Sequence, residues 1–359
     1  MTAATGDLEL EAGRPAWVER LLRVLPGVLR WVLAILGALL VFSVLVLAKG
    51  ADPAHAYASM WTSTFGRPQS VEEIFIRMTP LVLGALAVAV PARAGLTNVG
   101  GEGQIIVGGI AACGAMLVLG DGAAPAVALV AMVVAAVVAG ALWAGLAAAL
   151  RLTAGVNEAI STLLLNFVAL DLLLFLIYQP WRESSTGQPA TKELADLSKL
   201  PVVTGTGVNV GIVLAVVLVV VVHLLLARTR WGFRISVAGG NAEAARRSGL
   251  RVALLVLSAL MIGGALAGLA GMTQLAGVEY KLRPGFGHQL GYTAFLACWL
   301  ARHKPFPILA AAFVFAALSV AGDSLQLDSG VPAASINILT ALILIAVLGF
   351  TTRRRKVVP

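Results

Sequence analysis

Apolar residues run along this chain in blocks of about 20, the length that crosses a hydrocarbon core as a helix. Ten blocks are readable, roughly 29–48, 76–92, 101–120, 124–150, 158–179, 207–227, 252–275, 288–301, 305–323 and 334–350. The pattern predicts an all-α protein, a polytopic transmembrane helical bundle of about ten spans. Several blocks are short or rich in Gly and Ala, so one or two are expected to be broken or re-entrant. Residues 1–28 read as a cytoplasmic N-terminal segment, 29–350 as the membrane domain and 351–359 as a cytoplasmic basic tail. The leader is too long and too acidic for a signal peptide.

Composition agrees with this reading. The chain is 59% hydrophobic and 12% charged, against roughly 25% charged in soluble domains. A topology with both termini inside places 18 of the 26 Lys and Arg in cytoplasmic segments and 8 outside. That asymmetry is the positive-inside signature, so N-in/C-in is expected. It accounts for the basic balance without a nucleic-acid partner, which would need a soluble basic surface. Cys113 and Cys298 both lie inside apolar blocks, a placement that suggests buried small side chains with no disulfide framework or metal site.

The polar residues inside the apolar pattern carry the candidate chemistry. Arg93-Ala94-Gly95-Leu96-Thr97-Asn98-Val99-Gly100-Gly101-Glu102-Gly103-Gln104 sets Asn98, Glu102 and Gln104 among four glycines, with apolar sequence on both sides. A carboxylate at that depth needs a polar cavity or a partner. Glycines there let helices approach closely, or let the backbone break where it lines a pathway. A membrane-edge loop with a packing cluster of glycines is the competing reading. Further on, Glu158, Thr162 and Asn166 recur at i, i+4 and i+8 and so share one helix face. Such a stripe faces a water-filled path or serves as interhelical hydrogen-bond glue. Asp171 lies about 140° around from Asn166 and faces a neighbouring helix or subunit instead.

Two loops are long enough to matter. In 229–251, Asn241 is an N-cap, Glu243 falls in the first turn, Arg246 and Arg247 in the last, and Gly249 supplies the stop. That predicts a capped helix of barely two turns, which makes sense as a knob pressed into another protein or as an ordinary positive-inside loop. The outer loop 179–207 reads as a solvated connector or as a docking site for an extracytoplasmic partner. A weak echo between Ala111-Ala112-Cys113 and Leu296-Ala297-Cys298, each followed by a Pro-led span, suggests an inverted-repeat core.

Enzyme signatures are sparse. There is no GxxxxGK[ST] loop and no GxSxG elbow, and the four histidines have no metal spacing. A proton-coupled carrier using Glu102 or Asp171, or an intramembrane enzyme, remains open on the residues alone.

The 93–104 segment resembles the RAGLxNIGxEGQ signature of ABC-importer permeases for simple sugars and nucleosides. Gly155-Val156-Asn157-Glu158 with Thr162 to Asn166 is similar to that family's GxNE…T…LN segment. Gly239-Gly240-Asn241 with Ala244-Ala245 and Ser248-Gly249 is similar to its ATPase-coupling loop, and Gly285-Phe286-Gly287 to its GFG segment. The leader and first span lean toward the nucleoside branch. Pro91 and Gly291-Tyr292-Thr293 depart from the family pattern. The resemblance implies a multi-pass permease subunit in the bacterial cytoplasmic membrane, moving a nucleoside or a related pentose or sugar. It implies Asn98, Glu102, Gln104, Glu158, Thr162, Asn166 and Phe286 along the pathway. Gly240, Asn241, Glu243, Ala244, Arg246, Arg247, Ser248 and Gly249 would contact the ATPase. The implied partners are cytosolic ABC ATPase subunits, a second and non-identical permease, an extracytoplasmic substrate-binding lipoprotein and membrane lipid. The chain itself would need no cofactor, since ATP is used by the ATPase.

Overall fold

The computed structural model describes residues 16–352 apart from 121, 184–186, 330–331 and 333–334. Much of the expected 1–28 segment and of the 351–359 tail lies outside the described residues. The helices are α1 (Ala16–Ala48), α2 (Pro53–Phe65), α3 (Pro68–Arg93), α4 (Gly101–Leu119), α5 (Pro125–Ala154), α6 (Glu158–Tyr178) and α7 (Gly211–Arg228). They continue as α8 (Arg230–Gly240), α9 (Ala242–Arg247), α10 (Val252–Gln274), α11 (Leu290–Leu300), α12 (Pro305–Ser329) and α13 (Ser335–Thr352). Proline opens α3 and α5, where its missing N–H costs nothing. Gly155, at φ +67°, closes α5 in the left-handed conformation.

Seven helices among the described residues are long and apolar enough to cross a membrane, or eight if Ile35–Ala48 and Pro53–Phe65 form one broken span. The expected ten is therefore a correction. Side chains in parts of 29–48 and 334–350 lie outside the described residues. The block at 288–301 is different in kind. It forms only the 11 residues of α11, about 16 Å at 1.5 Å per residue, half of a hydrocarbon core. The residues ahead of it, 281–289, are non-helical and include Lys281, Arg283, His288 and Gln289, so the apolar helix does not extend backward.

By contacts the chain divides into two units, residues 1–53 with 337–359, and residues 54–336. The first contains α1, apolar from Trp31 to Ala48, and most of α13. The second is built around α10, which packs against α3 on one side and against α4 and α5 on the other. α11 and α12 also pack on α3. One core joins α3, α7, α10, α11 and α12, and another joins α4, α5, α6 and residues 275–286.

Small residues allow this closeness. A methyl group built on Gly264 would collide with the Gly140 carbonyl, and one on Gly268 would collide with Ala136. Helices in a bilayer associate by such packing because lipid supplies no hydrophobic drive. Gly268→Val should therefore cost about 1–3 kcal/mol by overpacking and lower the thermal stability of the detergent-purified protein. Gly122→Val, which would meet open space, should shift it by no more than about 0.5 kcal/mol.

Candidate functional site

The chain breaks between α3 and α4. Pro91 starts the exit, its carbonyl accepting from Ala94 N (2.9 Å) and Leu96 N (3.1 Å). Residues 96–99 then run without helical hydrogen bonds between two buried spans. Peptide groups in such a break cannot turn to lipid for partners.

The polar stripe of α6 supplies them. Thr97 N donates to Glu158 Oε1 (3.2 Å), Val99 N to Thr162 Oγ1 (3.3 Å) and Gly103 N to Asn166 Oδ1 (2.8 Å). Asn166 Nδ2 returns a bond to the Val99 carbonyl (3.0 Å) and a longer one to Tyr292 Oη (3.3 Å). For the first step, Thr97 to Val99 against Glu158 to Thr162, the match is geometric. Four residues of helix advance about 6 Å, close to the roughly 6.6 Å spanned by two residues of extended chain. Glu158 also pairs with Arg151 at the end of α5, which compensates its buried charge.

Inside the break, Asn98 and Gln104 hold each other. Asn98 Nδ2 donates to Gln104 Oε1 (2.9 Å), and Gln104 Nε2 donates back to Asn98 Oδ1 (3.0 Å). Asn98 Oδ1 also accepts from Gly100 N (3.1 Å). Both side chains are essentially inaccessible.

Glu102 reaches across to α11. Its Oε1 accepts from Gln289 N (2.6 Å) and its Oε2 from Gly291 N (2.7 Å). One carboxylate in the first turn of α4 thereby caps the start of α11, and the positive ends of both helix dipoles favour its charge. Gly291 lies so close to the Glu102 backbone that any side chain there would collide. α4 and α11 meet start to start.

Phe286 is 1% exposed and its ring lies on Gly109, packed in the second core. Signals absent from the sequence reading cluster nearby. α10 continues as a π-helical turn, Leu275–Glu279, and Tyr280 follows at φ +60°. Glu279 accepts from Gln274 Nε2 (2.9 Å), Arg283 Nε (2.9 Å) and Gly287 N (3.1 Å). The spacing Gln274, Glu279, Arg283 could have shown this knot had the helix been followed beyond 275.

The loop 179–207 is no free connector. Thr191 N donates to the Leu282 carbonyl, Leu194 N to Tyr280 and Leu200 N to Ala276, while Asn209 Nδ2 donates to Gly277. Lys199 bridges Glu193 (3.0 Å) and Asp196 (2.8 Å) over the Tyr280 ring. The hydrogen bond to Asp196 raises the Lys199 pKa, and the same bond lowers that of Asp196.

On the opposite end the knob forms as its spacing predicts. Asn241 Oδ1 accepts from Ala244 N (2.9 Å), Glu243 pairs with Arg246 and Arg247, and Ser248 Oγ donates to the Ala244 carbonyl. Gly249 takes φ +81°. Of α9 only Ala245 is buried, so the rest of its surface is exposed. The reading of 229–251 missed α8, whose Trp231, Ile235 and Ala238 pack inward at helical spacing. Thr229 Oγ1 caps it by accepting from Gly232 N (3.0 Å). At its far end Gly239 presses on the backbone of Arg93 and Ala94. α8 thus joins the exposed knob to the start of the break. Between them lies a cavity of about 480 Å³, lined in part by Gly95, Arg151, Gly239 and Arg246.

Asn166→Leu removes an acceptor from Gly103 N–H and a donor from the Val99 carbonyl. Two orphaned groups should cost about 2–4 kcal/mol, read as earlier thermal unfolding in detergent, whereas Val134→Leu on an outward face should change little.

The family described as branched-chain amino acid transport system / permease component matches residues 70–348. The glucose ABC transporter permease TsgB13 of Haloferax volcanii is 36% identical over 326 residues, 88% of this chain and 85% of that protein. The guanosine ABC transporter permease NupP of Bacillus subtilis is 28% identical over 327 residues, 88% of this chain and 91% of that protein. A second guanosine permease of that organism, NupQ, is 27% identical over 294 residues, 78% and 90% of the two chains.

Proposed function

The chain belongs to the branched-chain amino acid transport system / permease component family, and from that premise we propose that it moves a nucleoside or a related pentose or sugar inward through an ATP-driven importer. It is an integral membrane transport subunit and not itself an ATPase. The observation that carries the reading is the broken α3–α4 segment, zipped to α6 and abutting the half-helix α11. Discontinuous helices meeting at depth are where transporters build substrate sites. Asn98, Glu102, Gln104, Glu158, Thr162 and Asn166 act as the frame of that site, holding the break open to the path. Their groups are amides, a hydroxyl and compensated carboxylates, which suits a neutral polar cargo such as the glucose and guanosine named for the relatives.

The architecture follows the same reading, with both termini inside and an inverted-repeat core in which α4–α5 answer α11–α12. The start-to-start meeting of α4 and α11 at Glu102 supports it. α9 is the knob for a cytosolic ATPase, and α8 transmits its motion to the break through Gly239. An extracytoplasmic binding lipoprotein docks on the outer loop. Two unlike guanosine permeases in one organism support pairing with a second, non-identical permease. A proton-coupled carrier is the weaker reading, because both Glu102 oxygens already accept backbone N–H bonds.

Two measurements test this. Proteoliposomes holding the permease and its ATPase should take up cargo only when ATP is supplied. Uptake driven by a pH gradient without the ATPase would overturn the importer reading. Combining Asn241→Ala, Arg246→Glu and Gly249→Val removes a cap worth about 1 kcal/mol, reverses a charge and adds backbone strain. Co-purification of the ATPase and its hydrolysis stimulated by loaded binding protein should both fall. A triple variant that assembles and hydrolyses like the parent would move the coupling contact elsewhere.

A further inference from the structure

Asp171 has no partner among the described residues. It projects from the exposed face of α6, and no side chain or backbone group described in the structure bonds to it. Thirteen residues separate it from Glu158 and seven from Tyr178, about 20 Å and about 10 Å along the helix. That depth is hydrocarbon. Around it the face is apolar and aromatic, with Leu164, Phe167, Val168 and Phe175 all more than half exposed. An ionisable group facing out of a span needs a polar space or a countercharge.

The apolar stretches of the described helices hold no free countercharge to give. α4, α6, α10, α11, α12 and α13 contain neither Lys nor Arg. Arg77 in α3 is committed to Glu73 and Asp323, and Arg151 to Glu158. Arg93 and Arg228 are the last residues of their helices. The arginines of α1 fall in the first 15 of its 33 residues. A second copy of the same chain, meeting this one across a two-fold axis, would bring another Asp171 and no cation to answer it.

We propose that the Asp171 face of α6 docks a second, non-identical permease subunit, which inserts a Lys or Arg against the Asp171 carboxylate. Phe167 and Phe175, one turn to either side, offer ring faces to the same cation. The inference rests on the permease reading and adds to it which helix meets the other subunit and why that subunit is unlike this one.

The test uses the full chain co-expressed with the second permease and the ATPase. Asp171→Cys, with Cys113 and Cys298 buried, should cross-link to a span of the other permease, and mass spectrometry identifies the facing basic residue. Asp171→Lys should then lower recovery of the two-permease complex by about tenfold or more, since it places like charges together. Changing the identified Lys or Arg to Glu should restore recovery to within about threefold, which a merely misfolded variant would not allow. Three results would overturn the proposal. They are a disulfide joining two identical Asp171→Cys chains through the introduced thiols, labelling of the Asp171→Cys thiol by a water-soluble reagent in the assembled complex, and unchanged recovery of the Asp171→Lys complex. ATP-driven uptake by the parent complex is measured in the same preparation. Its absence counts against the permease reading, while its presence with any of those three results counts against this contact alone.

Discussion

A peptide group buried away from water has to find its partner within the protein, and the break at residues 96–100 is the place where this chain meets that demand. α3 ends at Arg93, and helical hydrogen bonding resumes at the Gly100 carbonyl, which accepts from Gln104 N. Without substitutes, the exposed N–H and C=O groups would each carry a desolvation cost comparable to a lost hydrogen bond. Thr97, Val99, Gly100 and Gly103 are each satisfied by a side chain, from Glu158, Thr162, Asn98 and Asn166 respectively. The break therefore fixes the rotation of α6, since another face turned inward would leave those groups bare. Through Glu102 it also fixes where α11 begins.

That dependence explains what could be read from the sequence. The stripe at 158, 162 and 166 announced its face, because burial of polar groups at period four leaves no other choice. What it faced was not legible. A substrate path and a backbone zipper ask the same residues for the same hydrogen-bonding groups, and only the facing chain distinguishes them. The knob at 241–249 was legible in full because caps are local. α8 was hidden by its own charges, since Arg230 and Arg234 make a helical segment look like a loop rich in positive residues. The Glu279 knot was hidden because its helix changes period at Leu275.

The two ends of the site are mechanically unequal. At one end, several backbone bonds and Asn209 tie the loop 190–209 to residues 276–282, so that end is braced over a broad area. At the other, α9 is six residues long with a single buried side chain, and an isolated helix of that length is unstable. Its shape depends on its ends and on whatever covers it. The rigid element is α8, whose Gly239 touches the backbone just ahead of the break.

The bond between Glu102 and the start of α11 also has a consequence in time. The two residues are 189 positions apart, which at ordinary synthesis rates of about 5–20 residues per second is a delay of roughly 10–40 s. Throughout that interval α4 is already made and its carboxylate has no cap. Nascent chains of this protein must pass through a stage in which the Glu102 carboxyl waits for a helix not yet translated. During biogenesis it has to be sheltered by water or by the insertion machinery until Gly291 arrives.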